Sequence, residues 1–220
     1  MLARELISDE IPALKTSDTG KKALELMEEY KLTELPIVNN TEFLGLITES
    51  DILDLDDPDA PIGNHNLSLE KPAVNAYEHI YEVLSKISTL KLSLIPILDD
   101  DNTFLGVISL PILIQSICNL AAIKDLGGIL QLEVNVNDYS LSEISSIVES
   151  NGAKILSSYI HTHDDSTKMD VTIKVNKTDL SPIIQTFERY NYTIAASFHK
   201  SEMQDELKKR YNEFINYLNI

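Results

Sequence analysis

Apolar and polar positions alternate in two recognisable blocks along the first half of the chain. In the first block, Ala23, Leu24, Met27 and Tyr30 recur at helical spacing and predict a helix ending at Tyr30, with Ser17 or Asp18 as its cap. A strand follows at Leu35-Pro-Ile-Val38, then a turn at Asn39-Asn40 and a returning strand over Phe43–Thr48. A further helix is expected to begin at Ser50-Asp51. Ahead of this block the pattern predicts a helical start at Leu2–Ile7 and an extended Pro12–Thr16. The acidic, proline-bearing loop Asp54–Asn66 interrupts the pattern, its acidic run Asp54–Asp59 reading as a solvated loop, and the pattern restarts at Pro72.

The second block is an altered copy of the first. A shift of 60 positions brings Pro12 onto Pro72, Leu24 onto Leu84, Lys31-Leu32 onto Lys91-Leu92 and Pro36 onto Pro96. The turn Asp99–Asn102 is one residue longer, so Phe43 meets Phe104 at a shift of 61. A duplicated helix-and-hairpin unit of about 55 residues accounts for this, and two such units must pair to bury their apolar faces. Gly45 and Gly106 stand at equivalent strand positions where close backbone approach is expected. The copies differ at one chemically important place: Asp51 in the first corresponds to Ile112 in the second.

After Gly127-Gly128, a candidate hinge, the periodicity changes. Ile129–Val136 reads as a strand, and Ser140–Asn151 as a helix opened by a Ser140/Glu143 capping box and ended by Gly152. Ala153–His163 and Lys168–Val175 are strands around the turn Asp164–Ser166, Asp179–Tyr190 is a helix and Tyr192–His199 a fourth strand. The order βαββαβ predicts a ferredoxin-like plait over residues 129–200. A charged helix within residues 201–220, with Leu207, Tyr211, Phe214, Ile215 and Leu218 on one face, is expected to pack on its own domain or on a partner. The whole is of the α+β class.

Charge narrows the functions open to such a chain. With 18 basic and 35 acidic residues it carries a formal −17, which repels nucleic acid and anionic membrane surfaces. The lone Cys118 excludes an intrachain disulfide and points to a reducing compartment. Met1-Leu-Ala-Arg-Glu-Leu6 is charged where a signal peptide needs an apolar core, and no apolar run reaches the roughly 18 residues of a membrane span. A cytoplasmic location is therefore expected. No catalytic constellation or phosphate loop stands out, so neither an enzyme nor a resident cofactor is expected. His161-x-His163 places two rings on one strand face, but no further ligand lies at metal spacing, and no metal is expected.

Ala23-Leu-Glu-Leu-Met27, Leu35-Pro-Ile-Val38 and Gly45-Leu-Ile-Thr-Glu-Ser-Asp51, with Val83-Leu84, Ile95-Pro-Ile-Leu98 and Gly106-Val-Ile-Ser109, resemble the cystathionine-β-synthase (CBS) domain, which occurs in tandem pairs. The resemblance covers residues 1–122, in copies of about 1–58 and 59–122. The phrase Asn151-Gly-Ala-Lys-Ile155 and the βαββαβ order resemble the ACT domain, a regulatory amino-acid-binding module. The combination resembles acetoin-utilisation-type bacterial CBS proteins. ACT domains usually carry a glycine in the loop after the first strand, and Val136–Leu141 has none.

The resemblance implies a regulatory module for an adenine nucleotide (AMP, ADP or ATP) or S-adenosylmethionine, working as a homodimer. It would place the ribose on Asp51 and a hydroxyl contact on Thr48, with Leu46 packing nearby and Leu92, Ser93 and Pro72 contributed by the other repeat. A carboxylate can accept from two vicinal hydroxyls, and a helix start offers free N–H groups to phosphate. A weaker second site would use Val107 and Ser109, with Leu32, Thr33 and Pro12 crossing over, but it lacks the carboxylate. Lys15, Lys31, Lys71 and Lys91 are candidates for phosphate. Two plainer readings stand beside these: Asp51 as a helix cap, and the chain as a ligand-free protein whose folds serve dimerisation.

Overall fold

The computed structural model describes residues 1–8, 10–163 and 167–198, and these fall into two compact units, Met1–Ser116 and a second that begins at Ile117. The expected turn Asp164–Ser166, the strand end at His199 and the helix within 201–220 lie outside the described residues. No helix among the described residues is long and apolar enough to cross a membrane.

The first unit contains the duplication. Helix α1 (Gly20–Tyr30) precedes the antiparallel strands β1 (Glu34–Asn39) and β2 (Glu42–Thr48) and the five-residue helix α2 (Glu49–Leu53). The second repeat has strand β3 (Val74–Asn75), helix α3 (Ile80–Leu90), strands β4 (Leu94–Leu98) and β5 (Phe104–Ser109), and helix α4 (Leu110–Leu120). The correspondence extends to local irregularities. Both hairpins are bulged, between Ile37 and Val38 and between Ile97 and Leu98. Helices α1 and α3 both end on a left-handed lysine, Lys31 and Lys91, each at φ 56, whose N–H returns to Met27 O or Ile87 O.

Some local expectations needed correction. The cap of α1 is Thr19, whose Oγ1 accepts from Lys22 N, because the apolar face of Ala23 and Met27 fixes where the helix starts. Asp18 instead accepts from Lys15 N and from Lys22 Nζ, each at 2.8 Å. The helical start at Leu2–Ile7 is a 3-10 turn, Ala3–Leu6.

The segment leading into each repeat lies on the other repeat. Leu2 and Ser8 bridge to His79 and Val107, and Pro61 and Glu70 bridge to Thr19 and Leu46. Gly45 and Gly106 permit this crossing: a Cβ on Gly45 would lie 2.5 Å from Leu69 Cβ, and one on Gly106 2.5 Å from Ile7 Cγ2. The close approach expected at both glycines is present, and the crossing segment of the chain makes it. At the hairpin tips Phe104 N donates to Thr41 O at 2.8 Å and the Phe43 and Phe104 rings stack 6.3 Å apart. Two apolar cores result, one around Leu14, Leu35, Ile47 and Ile52, the other around Ile80, Val83, Ile95 and Ile108.

The second unit is the predicted ferredoxin-like plait. Its elements are β6 (Gly128–Asn135), α5 (Leu141–Ser150), β7 (Ile155–Thr162), β8 (Lys168–Val175), α6 (Ser181–Arg189) and β9 (Thr193–Phe198), with strand order β7-β8-β6-β9. Alternate residues Leu130, Leu132 and Val134 of β6 and Val171, Ile173 and Val175 of β8 pack with Ile144, Ile147, Ile183 and Phe187 of the helices. Ser140 caps α5, but Glu143 does not close a capping box; its carboxylate accepts from Tyr192 Oη at 2.8 Å. Gly127 and Gly128 serve packing: a Cβ on Gly127 would meet Val175 O at 1.8 Å, and one on Gly128 the Leu180 side chain at 2.6 Å.

Candidate ligand site at the junction of the repeats

Strand β2 ends at Thr48, which caps α2. Asp51 Oδ2 accepts from Thr48 N at 2.8 Å and from Thr48 Oγ1 at 2.7 Å, while Asp51 N donates to Thr48 Oγ1 at 3.1 Å. Asp51 is thus the third helical residue of a capping box whose N-cap is Thr48. Every hydrogen bond its side chain makes among the described residues uses Oδ2, so about half of the carboxylate's acceptor capacity is still available. Thr48 is exposed and Asp51 half-buried.

The helix starts are tied to the ends of β1 and β4. Glu49 N donates to Thr33 O at 3.1 Å, and Leu110 N donates to Ser93 O at 2.9 Å. Thr33 N donates to Ser93 Oγ at 3.2 Å, so two residues expected at different sites meet at one junction. Glu34 lies between them. Its Oε1 accepts from Ser93 N, Ser93 Oγ and Leu94 N at 2.6, 2.9 and 3.0 Å, and its Oε2 accepts from Thr33 Oγ1. Strand register pairs Glu34 with Thr48 and Leu94 with Ser109. Glu34 was not among the residues singled out from sequence. The available signal was the duplication, which sets Glu34 against Leu94.

The remaining candidates are placed differently. Leu46, Val107 and Leu32 are buried in the core of the unit, and Leu92 is half-buried between the two cores. Pro12 is exposed on the approach to Leu14. Pro72 lines a groove of about 400 Å³ with Lys71, Ala73, Lys86 and Leu90, none of them from the Thr48–Asp51 turn. Lys31 and Lys91 are exposed at the helix ends two residues from Thr33 and Ser93, and neither they nor Lys15 and Lys71 form an ion pair among the described residues. His161 and His163 meet edge to face at 5.1 Å, and His163 Nε2 lies 3.2 Å from Asp170 Oδ2. Among the described residues no group of three His, Cys, Asp or Glu side chains is placed to hold a metal.

The family model of the CBS domain matches residues 3–57. The first repeat is a CBS domain. With the second repeat built on the same elements, bulge and crossing segment, Met1–Ser116 has the fold of a CBS domain pair.

Curated relatives include inosine-5'-monophosphate dehydrogenases of Methanocaldococcus jannaschii, 24% identical over 74% of this chain, and of Bacillus subtilis, 26% identical over 70%. The matches cover 33% and 32% of those proteins, so the chain spans about a third of the relatives' length. Among solved structures, a CBS domain pair/ACT domain protein from Thermotoga maritima aligns at 22% identity and TM-score 0.48, over 54% of this chain and 98% of that one. CBSX2 in complex with AMP aligns at 19% identity and TM-score 0.46, over 54% of this chain and 96% of that one.

Proposed function

We propose that the CBS pair is a regulatory module that binds an adenine nucleotide or adenosyl compound, with AMP, ADP, ATP and S-adenosylmethionine as candidates. The ribose diol would lie on the free acceptor capacity of Asp51, with Thr48 beside it. The observation that carries this reading is the Thr48–Asp51 turn, where a half-buried carboxylate at a helix start keeps one oxygen unengaged among the described residues. Its counterpart in the second repeat, Ser109 to Ile112, has no carboxylate, so one ligand per chain is favoured over two. Phosphate, where the ligand has it, would meet Lys31 or Lys91. The plait is read as an ACT-like accessory domain, and the protein as a homodimer without catalytic activity of its own.

The capping bonds of Asp51 favour a second reading, in which the turn is architectural and the chain only mediates association. Thermal unfolding of the full chain with AMP, ADP, ATP and S-adenosylmethionine at millimolar concentration separates the two. A ligand at 100 times its Kd adds about 2.7 kcal/mol, seen as a rise in Tm of several degrees. A Tm unmoved by all four compounds would leave the architectural reading standing.

A further inference from the structure

Two consecutive backbone N–H groups and one hydroxyl, from Ser93 and Leu94, converge on a single point, and Glu34 Oε1 occupies it. Successive N–H groups of this kind form an anion-binding concavity. Thr33 Oγ1 completes the set by donating to Oε2. Glu34 is only 3% exposed, and no Lys, Arg or His forms an ion pair with it among the described residues. Burying a carboxylate is costly unless donors replace its water, and here four hydrogen bonds do so.

The arrangement is not a consequence of the duplicated fold. In the first repeat the equivalent backbone group, Thr33 N, donates to Ser93 Oγ, and the residue equivalent to Glu34 is Leu94, whose side chain has no oxygen to offer in return. The one acidic residue of a strand that is otherwise Leu, Pro, Ile, Val and Asn thus fills a receptor built by the other repeat. We infer that Ser93–Leu94 is a carboxylate-binding cradle and that Glu34 is its built-in occupant, closing the second repeat's side of the junction to free anions. This does not depend on the nucleotide reading, because the occupant is part of the chain and the probe is a simple carboxylate.

Thermal unfolding of the full chain in sodium acetate and in sodium chloride, at matched ionic strength and neutral pH, tests the inference. Glu34→Ala takes the acceptor from all four donors, three of them in the cradle, and opens space for one carboxylate. Its Tm should fall in chloride by on the order of 5–10 °C, and acetate should restore at least half of that loss in a saturable titration. The parent and Glu34→Gln, whose cradles are filled, should gain nothing from acetate over chloride. An equal acetate response in all three proteins, or none in Glu34→Ala, would overturn the inference. If Glu34→Ala is insoluble in chloride, refolding in acetate decides: folded protein in acetate alone supports the cradle, and failure in both salts removes it.

Discussion

Substitution can separate the bonds that Asp51 makes to Thr48 from the ribose contact proposed for it. Asn at this position retains an oxygen that can accept from Thr48 N and Thr48 Oγ1, so Asp51→Asn should change the stability of the ligand-free protein by less than about 0.5 kcal/mol, whereas Asp51→Ala should cost about 0.5–2 kcal/mol. Denaturant titration of both variants measures the difference. At Tyr192, burial first, then the hydrogen bond to Glu143 and the charges of Glu143 and Asp138, pushes the phenol up to about 12. The folded state therefore holds the proton more tightly than the unfolded chain, whose tyrosine titrates near about 10. The stabilisation is fully present below about pH 10 and is lost as pH rises through about 12. Thermal unfolding across the alkaline range should show this loss in the parent, and Tyr192→Phe should flatten it.

Among the elements, the crossing of each leading segment onto the other repeat explains why the pair holds together. Gly45 has φ +147 with Leu69 Cβ and Glu70 O against it, so Gly45→Ala should cost about 2–4 kcal/mol. Gly152 has φ +67 and no atom within 4 Å of an added Cβ, so Gly152→Ala should cost only about 1–2 kcal/mol. Chemical unfolding that ranked Gly152→Ala as the more damaging change would contradict the crossing as described. The glycines were the one trace of this crossing in the sequence, because Ile7-Ser8 and Leu69-Glu70 are too short to show a strand pattern. The hairpins and the βαββαβ order were legible because the period changes between helix and strand are strong and the duplication repeats them. The α1 cap was not, since Ser17, Asp18 and Thr19 all have capping side chains and only the packing of Ala23 and Met27 selects among them. Glu34 escaped notice for a related reason: its burial depends on Ser93 and Leu94, some 60 positions away.

For the whole molecule, association and ligand binding are separate expectations. Large apolar side chains exposed on α4, among them Leu110, Ile114, Ile117 and Leu120, lie in a helix without a single charged residue, although the chain carries −17 overall. Such a face favours self-association over contact with a charged partner. Sedimentation at micromolar concentration should give a species of twice 24.7 kDa, and a monomer would count against the homodimer. The most direct test of the central claim is calorimetric titration of AMP, ATP and S-adenosylmethionine into the parent and into Asp51→Asn. The account predicts that at least one of them binds the parent at about one per chain, and that Asp51→Asn binds it roughly ten- to a hundredfold more weakly, because charge-assisted bonds to the ribose are lost. Equal affinity in the two proteins, or no binding of any of the three to the parent, would contradict it.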